Sequence, residues 1–121
     1  DNPYLPENIK EENWIVYTGT HDNSTSLGWW REMDQGRKEQ IRERIFDYEN
    51  FTSWELIRIG METKAKLFVA PMQDLLNLDD SCRLNKPGTT ENNWSWRLPR
   101  NDLNIRDALK KYGDLAKANK R

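Results

Sequence analysis

The sequence predicts an α/β fold in which two short strands run parallel, and three observations carry that expectation. Trp14-Ile15-Val16-Tyr17 and Leu67-Phe68-Val69-Ala70 are continuous apolar runs stopped by Gly19 and Pro71, the pattern of strands covered on both faces. Between them lie stretches with helical rather than alternating periodicity. A helical crossover returns the chain in the same direction, so the two strands should pair parallel.

Residues 1–13 are polar with two prolines and read as a loop, whose start, Asp1-Asn2-Pro3, lacks Met and looks like an excised boundary. Residues 14–76 form the strand–helices–strand unit. Its first strand is followed by Asn23-Ser24-Thr25-Ser26, a run of capping residues ahead of Leu27-Gly28-Trp29-Trp30. Gly36 to Tyr48 reads as a helix with Ile41, Ile45 and Tyr48 on one stripe. Thr52-x-x-Glu55 is a capping-box pattern opening the next helix, where Trp54, Ile57, Met61 and Ala65 recur at helical spacing. Residues 77–102 are a loop, and 103–121 a closing amphipathic helix and tail carrying Ile105, Ala108, Leu109, Tyr112 and Ala116. Gly113 costs about 1 kcal/mol relative to Ala and marks where that helix would break.

A chain of 121 residues and 14.4 kDa holds one domain rather than two. Apolar residues at 36% against charged ones at 32% give a thin core for this length, partly offset by six Trp. Two parallel strands make no stable sheet by themselves, so further strands, or another chain, are expected to complete it. The net charge of −1, from 19 basic and 20 acidic residues, leaves no basic stripe for nucleic acid or an anionic membrane. Lys110, Lys111, Lys117, Lys120 and Arg121 read as the solvated face and tail of the last helix. One cysteine, Cys82, excludes an internal disulfide. With no signal peptide and no apolar run near 18 residues, a soluble, reducing, cytoplasmic setting is expected.

In parallel α/β architectures function gathers where strands end. Thr18 to Asn23 follows the first strand and Pro71-Met72-Gln73-Asp74 the second, so both should open on one mouth. "WIVYTGTHDNSTSLGWW" (residues 14–30) delivers His21 and Asp22, the only His-Asp pair, to that mouth. Residue chemistry alone leaves their roles open. Asp22 fits an Asx-turn or helix N-cap as well as catalysis, and His21 a satisfied structural imidazole as well as a base or ligand. One His and one Cys make no closed zinc site, and neither a nucleophile elbow nor a phosphate-cradling glycine loop is present. Carboxylate chemistry on a sugar remains, and abundant Trp suits the C–H faces of pyranoses. The loop "RLNKPGTTENNWSWRL" (residues 83–98) has a Pro87-Gly88 turn crowded by Asn85, Asn92 and Asn93. Trp94 and Trp96 point the same way if it is extended, serving either a sugar or the sealing of a core.

"YTGTHDNSTSLGWW", "PMQDLLNL" and "RLNKPGTTENNWSWRL" together resemble the carboxy-terminal part of the 4-α-glucanotransferases, the amylomaltase or disproportionating-enzyme family of the α-amylase clan. The resemblance runs from about Trp14 to Leu98, with three motifs in the family's order. It implies the C-terminal portion of a (β/α)8 TIM barrel, strands 7 and 8 with their helices. It also implies transfer of α-1,4-glucan segments between glucans, or to glucose, with retention and without metal or organic cofactor. By resemblance Asp22 matches the transition-state-stabilising Asp, His21 a histidine donating to the same sugar, and Asn85 a polar position on the acceptor side. Implied partners are maltooligosaccharides or α-glucans and the rest of the barrel. The sequence departs from the family at Ser24, usually acidic, and at Asp79, Asp80 and Cys82, usually small, changes expected to touch surface detail. The nucleophilic Asp and acid/base Glu of the family lie on earlier strands, so the 121 residues alone should be inactive. Asp74 and Glu91 are not promoted in their place: Asp74 reads as the cap of a short helix. Two other readings are a non-catalytic glucan-binding module using Trp94, Trp96 and His21, and a structural fragment that self-associates through its exposed core side.

Overall fold

The computed structural model describes residues 2, 4–100 and 103–121. Strand β1 (Ile15–Tyr17) is followed by helices α1 (Ser26–Glu32), α2 (Gln35–Ile41) and α3 (Trp54–Met61). Strand β2 (Leu67–Val69), the one-turn α4 (Met72–Leu75) and the long α5 (Leu103–Ala118) complete the order. The strands pair parallel, as the crossover requires, with Ile15 opposite Leu67, Val16 opposite Phe68 and Tyr17 opposite Val69.

Within this chain, alternation along the pair leaves one face covered and the other open. Val16 and Phe68 turn toward the helices, whereas Ile15, Tyr17, Leu67 and Val69 lie on the other face, 37–52% exposed. Helices cover one face only, and side chains with a period of two cannot all reach it.

Helix α3 joins two cores. Ile57 and Met61 pack with Phe68, Leu75 and Ala108, and Val16, Tyr112 and Leu115 close around them. Leu56 and Ile59 contact a second cluster of Leu27, Trp30, Ile45 and Phe51. There the Trp30 and Phe51 rings stack at 4.4 Å and 9°, and Tyr48 meets Trp30 edge-on. Such paired rings contribute about 0.5–1.5 kcal/mol beyond the area they bury.

The capping box and the long helix through Tyr48 are both absent, for one reason. The Glu55 carboxylate accepts from the amides of Phe46 and Asp47, each at 3.0 Å, instead of folding back on its own helix start. Those amides, and the extended Ile45 before them, cannot then continue a helix. It ends at Ile41, and a 3-10 turn at Arg42–Arg44 follows. At α3 the Ser53 amide donates to the Asn77 side chain at 2.8 Å, and the buried Ser53 hydroxyl donates to the Asp74 carbonyl. Ala65, expected on the α3 stripe, is buried beyond the end of the helix.

Helix α5 runs unbroken through Gly113, because Ala108, Tyr112, Leu115 and Ala116 anchor both halves to the α3–β2 core. Leu109, placed on the buried stripe by periodicity, is 49% exposed. The basic tail is more engaged than a solvated face. Lys111 lies over the Trp54 ring, and Arg121 donates to the Met61 and Thr63 carbonyls at 3.0 and 2.8 Å, closing the α3 C-terminus.

Where α3 crosses β2, Gly60 faces the Phe68 ring so closely that an added Cβ would lie 2.2 Å from Cε1 and 2.8 Å from Cδ1. Phe68 is buried, so its ring has little room to retreat. Gly60→Ala is expected to destabilise the chain by about 1–3 kcal/mol, read as a lower urea midpoint at unchanged slope.

Candidate active site

Both strands empty at the same end of the pair. The Thr18 amide prolongs it by one step, donating to the Val69 carbonyl at 3.2 Å. Beyond Thr18 the chain turns around Asn23, whose side-chain oxygen accepts from the Thr20 amide at 2.7 Å and the Thr20 hydroxyl at 2.9 Å. The N-cap of α1 is Thr25, whose hydroxyl accepts from the Gly28 amide at 3.1 Å. Turn and cap thus fall to Asn23 and Thr25, which leaves the Asp22 carboxylate free for the other loop.

That carboxylate meets both of the other residues singled out from the sequence, His21 and Asn85. Its Oδ1 accepts from Asn85 Nδ2 at 2.7 Å and its Oδ2 lies 3.1 Å from His21 Nε2. His21 and Asp22 are 52% and 51% exposed, so their pairing adds little stability and mainly sets geometry. The His21 ring is also backed by Trp94, centroids 5.1 Å apart and tilted 37°.

Asn85 is presented by a loop with its own bracing. Gly88 takes the left-handed conformation (φ 83°) behind Pro87, and the Thr89 amide donates to the Lys86 carbonyl at 3.2 Å. The Asn93 side chain spans the turn, accepting from the Lys86 amide at 2.9 Å and donating to the Thr89 carbonyl at 3.1 Å. Trp94 is itself left-handed (φ 58°), its amide tied to the Leu84 carbonyl. The backbone is therefore not extended here, and the two tryptophans diverge. Trp94 goes to His21, while Trp96 lines a separate groove with Trp54 and Ala108.

Asp74 is not the cap of its own helix: α4 starts at Pro71 without a side-chain cap. The carboxylate, 1% exposed, serves α1 instead. Its Oδ1 accepts from the Ser26 amide at 2.9 Å, and its Oδ2 from the Thr18 and Ser26 hydroxyls at 2.7 and 2.6 Å. Asp80, expected to be surface detail, accepts from the Thr25 amide at 2.9 Å. Two carboxylates from beyond β2 thus hold the start of the helix that follows β1. Glu91 stays exposed on the 83–98 loop.

A pocket of about 410 Å³ opens beside the cluster, lined among others by Tyr17, His21, Val69, Gln73, Arg83 and Leu84. Asp22 and Asn85 are not among its lining residues. Arg83, which the sequence reading passed over, bonds to both loops; its position two residues before Asn85 was the available signal. Among the described residues, no three His, Cys, Asp or Glu side chains gather as a metal site. No helix among them is long and apolar enough to cross a membrane.

A family model described as 4-alpha-glucanotransferase matches residues 1–103, and the chain belongs to that family. The chloroplastic/amyloplastic 4-alpha-glucanotransferase of Arabidopsis thaliana is 39% identical over 125 residues, covering 95% of this chain and 22% of the relative. The Thermus thermophilus 4-alpha-glucanotransferase is 40% identical over 105 residues, covering 81% of this chain and 21% of its own length. The solved amylomaltase of Streptococcus agalactiae in complex with acarbose superposes with a TM-score of 0.82 at 28% identity, over 97% of this chain and 24% of that one. The chain spans about a fifth of the length of these relatives.

Asp74→Ala would strand the Ser26 amide and two hydroxyls in a buried setting, and is expected to cost about 2–4 kcal/mol in urea unfolding. Asp74→Asn should cost less than half as much, because its oxygen still accepts from Ser26 and both hydroxyls can reverse to accept from its amide.

Proposed function

We propose that this chain forms one wall of the transfer site of a 4-α-glucanotransferase, which moves α-1,4-glucan segments between glucans, or to glucose, with retention of configuration. On this reading β1 and β2 are the seventh and eighth strands of a (β/α)8 barrel whose C-terminal strand ends form the catalytic mouth. The rest of the barrel covers the exposed face of Ile15, Tyr17, Leu67 and Val69.

Retaining transfer needs a nucleophilic carboxylate and an acid/base carboxyl about 5–5.5 Å apart. Both come from preceding strands, outside this chain. Asp22 is the third carboxylate: it grips hydroxyls of the distorted sugar as positive charge develops on the ring. That contact strengthens toward the transition state, which is what accelerates a reaction. His21 donates to the same sugar, and Asn85 lines the acceptor side. Carboxylates supply both the proton and the covalent intermediate, so the reaction requires no metal or organic cofactor. The single cysteine fits a reducing compartment, and we place the activity in the cytoplasm.

The observation that carries this reading is the 2.7 Å bond from Asn85 to Asp22 with His21 beside it. Loops after two different strands converge on a half-exposed carboxylate that the fold does not otherwise use. The acarbose bound to the Streptococcus agalactiae amylomaltase supports a glucan as the ligand.

The test exchanges residues 1–103 for the matching segment of the Thermus thermophilus enzyme and follows glucose release from maltotriose. The chimera is expected to turn over, and Asp22→Ala within it to lower kcat by about 10²–10³-fold. The 121 residues alone should release no glucose. Turnover by the isolated chain that persists in Asp22→Ala would overturn the assignment.

A further inference from the structure

We propose that Arg83 is a positioning residue of this site, a side chain that holds the backbones of the two loops in register so that Asp22 and Asn85 meet. The inference rests on the reading of Asp22, His21 and Asn85 as a glucan-contacting cluster, and adds what keeps that cluster assembled.

The Arg83 guanidinium makes three bonds, and they fall on the loops the site needs. Nε donates to the Asn85 carbonyl at 2.9 Å, Nη2 to the Asp22 carbonyl at 3.2 Å, and Nη1 to the Ser24 hydroxyl at 3.3 Å. Asp22 and Asn85 are themselves joined side chain to side chain. Arg83, Asp22 and Asn85 close a ring: the guanidinium joins the two backbones, and the carboxylate–amide bond spans the same two residues on the other side.

This arrangement answers a physical difficulty. A carboxylate–amide bond between half-exposed side chains on separate loops competes with water and adds little by itself. It persists when both backbones are already in place, because the ordering cost then falls on the brace. A planar guanidinium suits that work, since its donors sit in a rigid fork and one group can satisfy three acceptors of set direction. An ammonium on a flexible stem carries the same charge without the fork. At Asp22 and Asn85 the guanidinium takes only the main-chain carbonyls, so both side chains keep their remaining acceptor and donor capacity for a ligand.

The experiment compares the full 121-residue chain with Arg83→Gln and Arg83→Lys by NMR. It reads solvent exchange of the Asn85 side-chain amide and the cross-relaxation between the His21 and Trp94 rings. In both variants the Asn85 exchange is expected to rise about tenfold, the loss of one charge-assisted restraint, and the ring contact to weaken. The backbone amides of Leu67 and Thr18, which bond across the strand pair, should stay unchanged. Wild-type behaviour in both variants would overturn the proposal, as would rescue by Arg83→Lys, which would make charge rather than the fork the operative feature. Equal loosening of the Leu67 and Thr18 amides would overturn it too, making Arg83 a support of the fold. Maltotriose titration of the unsubstituted chain by tryptophan fluorescence is a separate arm. No response there counts against the glucan reading and leaves the Arg83 outcome standing.

Discussion

The buried carboxylate of Asp74 is the contact on which the geometry of the site depends. A charge removed from water must be repaid with donors of good geometry. Three are supplied here, from Thr18 and Ser26, at 2.6–2.9 Å. Thr18 is where β1 stops and Ser26 is where α1 starts, so both ends of the loop carrying His21 and Asp22 are fixed to one point after β2. The seven residues between them are then a closed span, and the Asn23 turn decides which of their side chains faces outward. The Asp74 main chain is tied as well, its carbonyl accepting from the buried Ser53 hydroxyl at the head of α3.

Polar groups shared between elements recur throughout this small chain. Glu55 of α3 takes the Phe46 and Asp47 amides, Asn77 takes the Ser53 amide, and Trp54 Nε1 donates to the Leu75 carbonyl at 3.1 Å. No buried side-chain nitrogen or oxygen among the described residues lacks a partner. Where the apolar core is thin, hydrogen bonds across elements specify the arrangement, because each costs heavily if left unmade. Helix α3 is the centre of this arrangement, with a core on either side and a polar contact at each end.

The parts of the fold legible in the sequence were those governed by periodicity. Apolar runs around a helical crossover gave the parallel pair, and the 3.6-residue stripe gave the presence of α5, though not its continuity through Gly113. Of the site, the convergence of His21, Asp22 and Asn85 was legible only through resemblance, since nothing local links residues 63 positions apart. What escaped was decided by tertiary partners. Asp74 reads in the sequence as the cap of a short helix; its true donors lie 48 and 56 positions away. Glu55 had a textually perfect box partner in Thr52, but two unpaired amides at Phe46 and Asp47 offered charge-assisted bonds that a single box contact could not match. Trp94 was assigned by alternation, which fails wherever a residue turns left-handed.

Labour is divided in the same way within the proposed transfer site. Asp74 and Asp80 both follow β2, and both are spent on the α1 start. Asp74, 1% exposed, presents no oxygen to a substrate, and its hydrogen bonds hold the loop instead. Asp22 differs in kind: half exposed, joined to a neutral amide and an imidazole, it can exchange either contact for a sugar hydroxyl at little cost to the fold. An enzyme gains from such a separation. Asp74, which holds the loop, is saturated and buried, whereas the group that meets the ligand is braced through its backbone and by two side chains it can release. Preorganisation of this sort keeps the carboxylate aimed before the ligand arrives, so that less binding free energy is consumed in ordering it.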